Sequence, residues 1–104
     1  LAPRTLPVSV DRDPVAVLEQ AAGVVGGLDE GSGVLILTDM YGSTPSNIVN
    51  RLQGRCQVRI VAGVNLPMLI RVLNYPRLSL DELADKALSG GRDGVVLCKS
   101  VTGD

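Results

Sequence analysis

Asp39, Gly42, Ser43 and Thr44 fall where an unbroken apolar run, Val34–Leu37, gives way to polar residues. Gly42 and Ser43 suit a tight turn. Thr44 before Pro45 suits a helix start, since the threonine hydroxyl accepts from an orphan N–H and proline tolerates the first helical position. A helix N-terminus carries unsatisfied N–H groups and a partial positive charge, and both attract anions such as phosphate. Asp39 brings a negative charge to the same place, so an anion there needs a cation or a donating imidazole between them. The pattern suits a histidine oriented by Asp39, with a phosphoryl group on the imidazole facing the helix start. Yet the 104 residues contain no histidine. The spacing describes half a site.

A second junction of the same design follows at Gly63-Val64-Asn65-Leu66-Pro67. Asn65 is read there as a helix cap, with Pro67 in the first turn, where its missing N–H costs nothing.

The elements that must position these residues read as alternating strands and helices. Leu6, Val8 and Val10 alternate with polar or proline positions, a short strand that Pro7 places at a sheet edge. Asp13 caps a helix opened by Pro14, whose stripe is Val17, Leu18, Ala21, Ala22, Val25 and Leu28. Val34–Leu37 is apolar at successive positions, which predicts a strand covered on both faces, as in parallel sheets. The helix opened by Thr44 presents Ile48, Val49 and Leu52 and is stopped by Gly54. Cys56–Ala62 reads as the next strand, with Val58 and Ile60 on one side and Val61 on the other.

Leu69, Ile70, Val72 and Leu73 are expected to pack behind Asn65. Ser79-Leu-Asp-Glu82 is a capping box. Leu83, Ala84, Ala87 and Leu88 are expected to face inward, Gly90–Gly91 to end the helix, and Val95–Cys98 to form a last short strand. The order β-α-β-α-β-α-α-β predicts an α/β fold with a parallel sheet. Its architecture would be open, three-layered and doubly wound. One more strand and helix, upstream and central, would complete it; the opening Leu1-Ala-Pro-Arg, entering almost directly into a strand, reads as a domain whose beginning is missing.

Composition narrows the function. One domain spans residues 1–104, and 45% hydrophobic content supports a core. A formal charge of −1 leaves no basic footprint for nucleic acid, and two tyrosines without Phe or Trp give no stacking platform. No apolar run spans a bilayer, so membrane insertion is not expected. Cys56 and Cys98 have no Cys-x-x-Cys spacing and suit a reduced, cytoplasmic setting. No metal site and no cofactor are expected. Neither a Gly-x-x-x-x-Gly-Lys-[Ser/Thr] loop nor a Gly-x-Gly-x-x-Gly turn is present, which counts against nucleotide binding. Serine hydrolase chemistry lacks both its elbow and a histidine base.

Three segments together, Asp39–Asn47, Ala62-Gly-Val-Asn-Leu-Pro-Met-Leu69 and Ser79–Leu83 with Gly91-Arg-Asp-Gly94, carry a resemblance. The chain resembles the IIA component of the mannose family of the bacterial sugar phosphotransferase system over nearly its whole length. The resemblance implies a cytoplasmic phosphocarrier. Such a domain takes a phosphoryl group from HPr onto a histidine, in a loop after a central first strand, and passes it to a IIB component. By position, Asp39 would hold the imidazole, and Thr44, with Gly42, Ser43 and nearby backbone N–H groups, would cradle the phosphoryl oxygens. Asn65 would line the same crevice. Homodimers are implied, some made by exchanging a C-terminal strand, for which Val95–Cys98 is the candidate.

Plainer roles stand beside these. Asp39 can cap a turn, Ser43 can be a turn residue, and Thr44 can cap its helix whether or not it meets phosphate. Asn65 can be a cap alone, Met40 and Met68 packing residues, and Arg92 a partner for the helix dipole. The competing function is a regulatory module of the same fold that binds a partner without chemistry.

Overall fold

The structure is a computed structural model that describes residues 13–39, 50–53 and 56–99. Helix α1, Pro14–Leu28, opens as its sequence dictates: the Asp13 carboxylate accepts from the Val15 N–H at 3.1 Å, and Pro14 sits at the first position. Val17, Ala21 and Val25, spaced one turn apart, form its buried face. Asp29 then accepts from the N–H groups of Gly31 and Gly33, folding the chain into strand β1, Val34–Thr38. Gly33 is required there. Its φ is +85°, and a Cβ would stand 2.8 Å from the Gln57 carbonyl oxygen.

Strand β1 pairs in parallel with β2, Val58–Ala62, in the register Val34↔Val58 through Thr38↔Ala62. The alternation of side chains then sorts the core onto two faces. Val34, Ile36, Val58 and Ile60 join α1 and the buried Leu52, which lies in the helical residues 50–52. Leu35, Leu37 and Val61 face the other way, onto Met68, Val72, Leu83, Ala84 and Ala87. These belong to helices α2, Leu66–Leu73, and α3, Leu80–Asp93. The expectation of a strand covered on both sides holds, and the described residues form helix, sheet and helix layers around a two-stranded parallel sheet.

Both helix starts expected from sequence are present. Asn65 accepts from the Met68 N–H at 3.0 Å; Ser79 and Glu82 close a capping box, with Glu82 N–H donating to the Ser79 hydroxyl at 3.2 Å. The expected strand Leu6–Val10, the start of the Thr44 helix and its stop at Gly54 lie outside the described residues.

Four expectations are corrected. Helix α3 does not end at Gly90–Gly91 but runs through them to Asp93. Both glycines are buried where α3 meets α2, and a Cβ on Gly90 would stand 2.7 Å from the Arg71 Cβ, so closeness of approach outweighs weak helix propensity. Val95–Cys98 is not a strand. Among the described residues no edge pairs with it, and Val95, Val96 and Leu97 are 78%, 70% and 94% exposed. Strand β2 begins at Val58, because the Cys56 N–H is still spent on the Leu52 carbonyl at 2.8 Å.

Lastly, Leu69, Ile70, Leu73 and Leu88 are exposed instead of packed. The face of α2 that meets α3 and the sheet is Met68 and Val72. Leu66, Leu69, Ile70 and Leu73 repeat at the same helical spacing on the outside.

Candidate functional site at the carboxyl ends of the strands

The two strands finish side by side. Buried Thr38 closes β1, and its carbonyl accepts from the Val64 N–H at 3.0 Å; the Asp39 carbonyl accepts from the Gly63 N–H at 2.8 Å. These bonds tie the exit of β1 to the exit of β2 and fix the backbone on which Asp39 stands. Gly63 has φ +83°, a left-handed conformation that glycine enters without steric cost. The Asp39 side chain is exposed at this edge, the one at which open α/β sheets receive ligands.

Asn65 stands next along the same edge, with both ends of its amide engaged. Its Oδ1 caps α2 through Met68, and its Nδ2 donates to the Gly91 carbonyl at 3.0 Å. A primary amide has two donors and two lone pairs, so one of each is left over for a further contact. The same side chain therefore fastens the start of α2 to the end of α3. Gly91 permits this by lacking a Cβ, which would come within 2.7 Å of the Met68 methyl.

A crevice of about 230 Å³ opens here, lined by Gly63, Asn65, Met68, Leu88, Gly91 and Arg92 among others. A larger hollow, about 320 Å³, lies at the opposite edge of the sheet, between Ser32, Gln57 and the start of α3. It contains none of the residues predicted for the site, and its one cation, Arg59, is paired with Asp81 at 2.8 Å. The smaller crevice is the one next to Asp39.

The structure thus brings Asp39 and Asn65 to one edge, through the Asp39–Gly63 backbone bond. Gly42, Ser43 and Thr44, with Met40 and Tyr41, lie outside the described residues. Of the lining residues only Gly63 and Asn65 were expected here; Gly91 and Arg92 are among those that were not. Their signal was the Gly91-Arg-Asp-Gly94 segment, read as a helix stop and a dipole partner. Among the described residues no three His, Cys, Asp or Glu side chains come together as metal ligands, and Cys56 and Cys98 are free thiols. Among them, too, no helix is long and apolar enough to cross a membrane.

Comparison with known proteins fits this geometry. Residues 5–88 match the family described as PTS system fructose IIA component, EIIA-man. The PTS system mannose-specific EIIAB component of Escherichia coli K12 is 34% identical over 87 residues, 81% of this chain and 27% of that protein. The protein of the same description from Shigella flexneri matches equally. The chain therefore spans 27% of the length of these curated relatives.

Among solved structures, the mannose/sorbose specific IIA subunit of the phosphotransferase system from Enterococcus faecalis is 27% identical, with a TM-score of 0.77. That match covers 88% of this chain and 69% of that one. The phosphotransferase system component EIIA from Streptococcus agalactiae shares the fold, with a TM-score of 0.69 at 24% identity, over 85% of this chain and 69% of that one. A parallel sheet covered on both faces, an aspartate at its carboxyl edge and the asparagine-capped junction beside it accompany these matches, and the chain belongs to the EIIA-man family, the mannose-type IIA domains of the phosphotransferase system.

Proposed function

We propose that this domain is a phosphocarrier in sugar uptake or its regulation, accepting a phosphoryl group from HPr on a histidine and passing it to a IIB component. Membership in a phosphotransferase family supports the reaction class. The observation that carries the site is the position of Asp39: exposed at the carboxyl end of β1, on a backbone held by the Gly63 N–H. In this reading the carboxylate accepts from one ring nitrogen of the acceptor imidazole and orients the other toward the incoming phosphorus. It also stabilises the positive charge that the ring gains on phosphorylation.

Thr44, Ser43 and the N–H groups following Gly42 would receive the phosphoryl oxygens at the helix start. Asn65 would line the crevice and hold α3 against it. None of the 104 residues is a histidine, so the acceptor imidazole comes from outside them. The setting would be the cytoplasm, and the working form a homodimer to which Val95–Cys98 contributes.

The absence of histidine is also the observation that favours the second reading, a regulatory module of this fold that binds a partner without chemistry. One experiment separates the two. The full-length protein is incubated with phosphorylated HPr, and acid-labile phosphate is measured on it. Stoichiometric labelling that moves on to a IIB component is expected. No labelling, with HPr binding intact, would establish the binding module instead.

A further inference from the structure

The crevice beside Asp39 contains a charge beyond the residues of the proposed site. Arg92 lines it, in the last turn of α3, with its side chain exposed. The adjacent carboxylate, Asp93, is taken by Arg71 Nη1 at 2.8 Å, and Asp81, at the other end of α3, is taken by Arg59. Among the described residues no acceptor is paired with the Arg92 guanidinium. Its backbone, in contrast, is held firmly: the preceding carbonyl, that of Gly91, accepts from Asn65, and Gly91 itself lies against Met68. The result is an exposed cationic head on a backbone held in place, lining the crevice.

A basic residue in a last helical turn has an ordinary explanation, the partial negative charge of the helix C-terminus. Any position around that turn would serve this purpose. The one occupied here places the cation on the wall shared with Gly63 and Asn65. Charge balance supplies the reason. A phosphoryl group carries about −1.5 to −2 near neutral pH. The imidazole held by Asp39 offsets the carboxylate, and the phosphoryl charge itself still lacks a cation of its own to neutralise it. An arginine suits that task, since its planar fork gives paired N–H donors to two oxygens of one phosphoryl group.

We propose that Arg92 binds the phosphoryl group during transfer, neutralising it from the wall of the crevice formed with Asn65 and Gly91. The inference rests on the phosphocarrier reading above. In the step itself, the acceptor imidazole nitrogen forms a P–N bond with its lone pair as the donor's P–N bond breaks, and the electron pair of that bond returns to the donor imidazole. Arg92 exchanges no proton; its donors follow the phosphoryl oxygens as charge redistributes among them.

The test uses the full-length protein with phosphorylated HPr as donor, comparing wild type with Arg92→Gln and Arg92→Lys. The Gln variant is expected to lose about tenfold to a hundredfold in the rate of phosphoryl transfer, the range for one charge-assisted hydrogen bond. The Lys variant, keeping a point charge without the fork, is expected to lose less. Affinity for unphosphorylated HPr and the melting temperature are expected to stay at wild-type values in both. Transfer by Arg92→Gln at the wild-type rate would overturn the inference. So would weakened binding of unphosphorylated HPr at an unchanged kcat, which assigns Arg92 to docking. A drop in melting temperature that accounts for the lost transfer would assign it to the helix dipole alone. If the wild type takes no phosphate, the phosphocarrier reading fails and this inference fails with it, a result distinct from each of the others.

Discussion

Asn65 Nδ2 donates to the Gly91 carbonyl at 3.0 Å, joining residues 26 positions apart. With its Oδ1 on the Met68 N–H, this one side chain both starts α2 and holds the last turns of α3 to the edge of the sheet. Its two bonds can be separated. Asn65→Asp keeps the acceptor and loses the donor, whereas Asn65→Ala loses both. Denaturant unfolding should give about 0.5–1.5 kcal/mol for the first and about 1–3 kcal/mol for the second. Equal losses would mean that the Met68 cap contributes nothing, and an Asn65→Asp variant as stable as wild type would mean the same of the Gly91 bond.

Gly90→Ala tests why α3 continues through its glycines. Alanine should favour a helix interior by about 0.5–1 kcal/mol. Here the new methyl would meet the Arg71 Cβ at 2.7 Å, which α2 and α3 can relieve only by moving apart. Net destabilisation of about 1–3 kcal/mol is expected from overpacking, read as a fall in the denaturant midpoint. A stabilised variant would show that the two helices are less tightly apposed than described.

For Asp39→Asn, the expected loss is one of chemistry and not of folding. The residue is exposed, so little buried area is at stake. A charge-assisted hydrogen bond of about 1.5–3 kcal/mol would be weakened, equivalent to about tenfold to a hundredfold in transfer from phosphorylated HPr. An Asn variant that unfolds, with no separate transfer defect, would make Asp39 structural.

Leu52 and Ile70 should respond very differently to truncation despite similar size. Leu52 is 1% exposed and Ile70 is 54% exposed. Leu52→Ala is expected to cost about 2–5 kcal/mol. Ile70→Ala in the isolated monomer should fall within about 0.5 kcal/mol of wild type. A large loss at Ile70, growing with protein concentration, would mean that a second copy covers it.

Much of this was legible before any coordinates. Capping is local chemistry, so Asp13, Asn65 and Ser79 could be placed from their immediate neighbours. The two-sided burial of β1 was legible too, because Val34–Leu37 has no polar position to turn toward water. Which face of α2 would be buried was not. Apolar residues nearly encircle that helix, and the choice of Met68 and Val72 over Leu69 and Leu73 is made by where α3 and β2 lie. Val95–Leu97 has strand composition, but a strand needs a partner edge, and composition says nothing of that. At the carboxyl edge of the sheet, the positions of Asp39 and Asn65 could be read from strand-to-helix junctions. Arg92 could not, since a helix end brings it into the crevice from a distant part of the sequence.

Because the strands separate two apolar clusters, one built on Ala21, Val25, Leu52 and Val58 and the other on Val61, Met68, Val72 and Ala87, each side can be altered on its own. Paired substitutions such as Leu52→Val with Val72→Ala should sum, while pairs within a cluster should not. Over evolutionary time the same partition would let relatives redesign the surface behind one layer, and with it their choice of associates, while leaving the carboxyl edge of the sheet untouched.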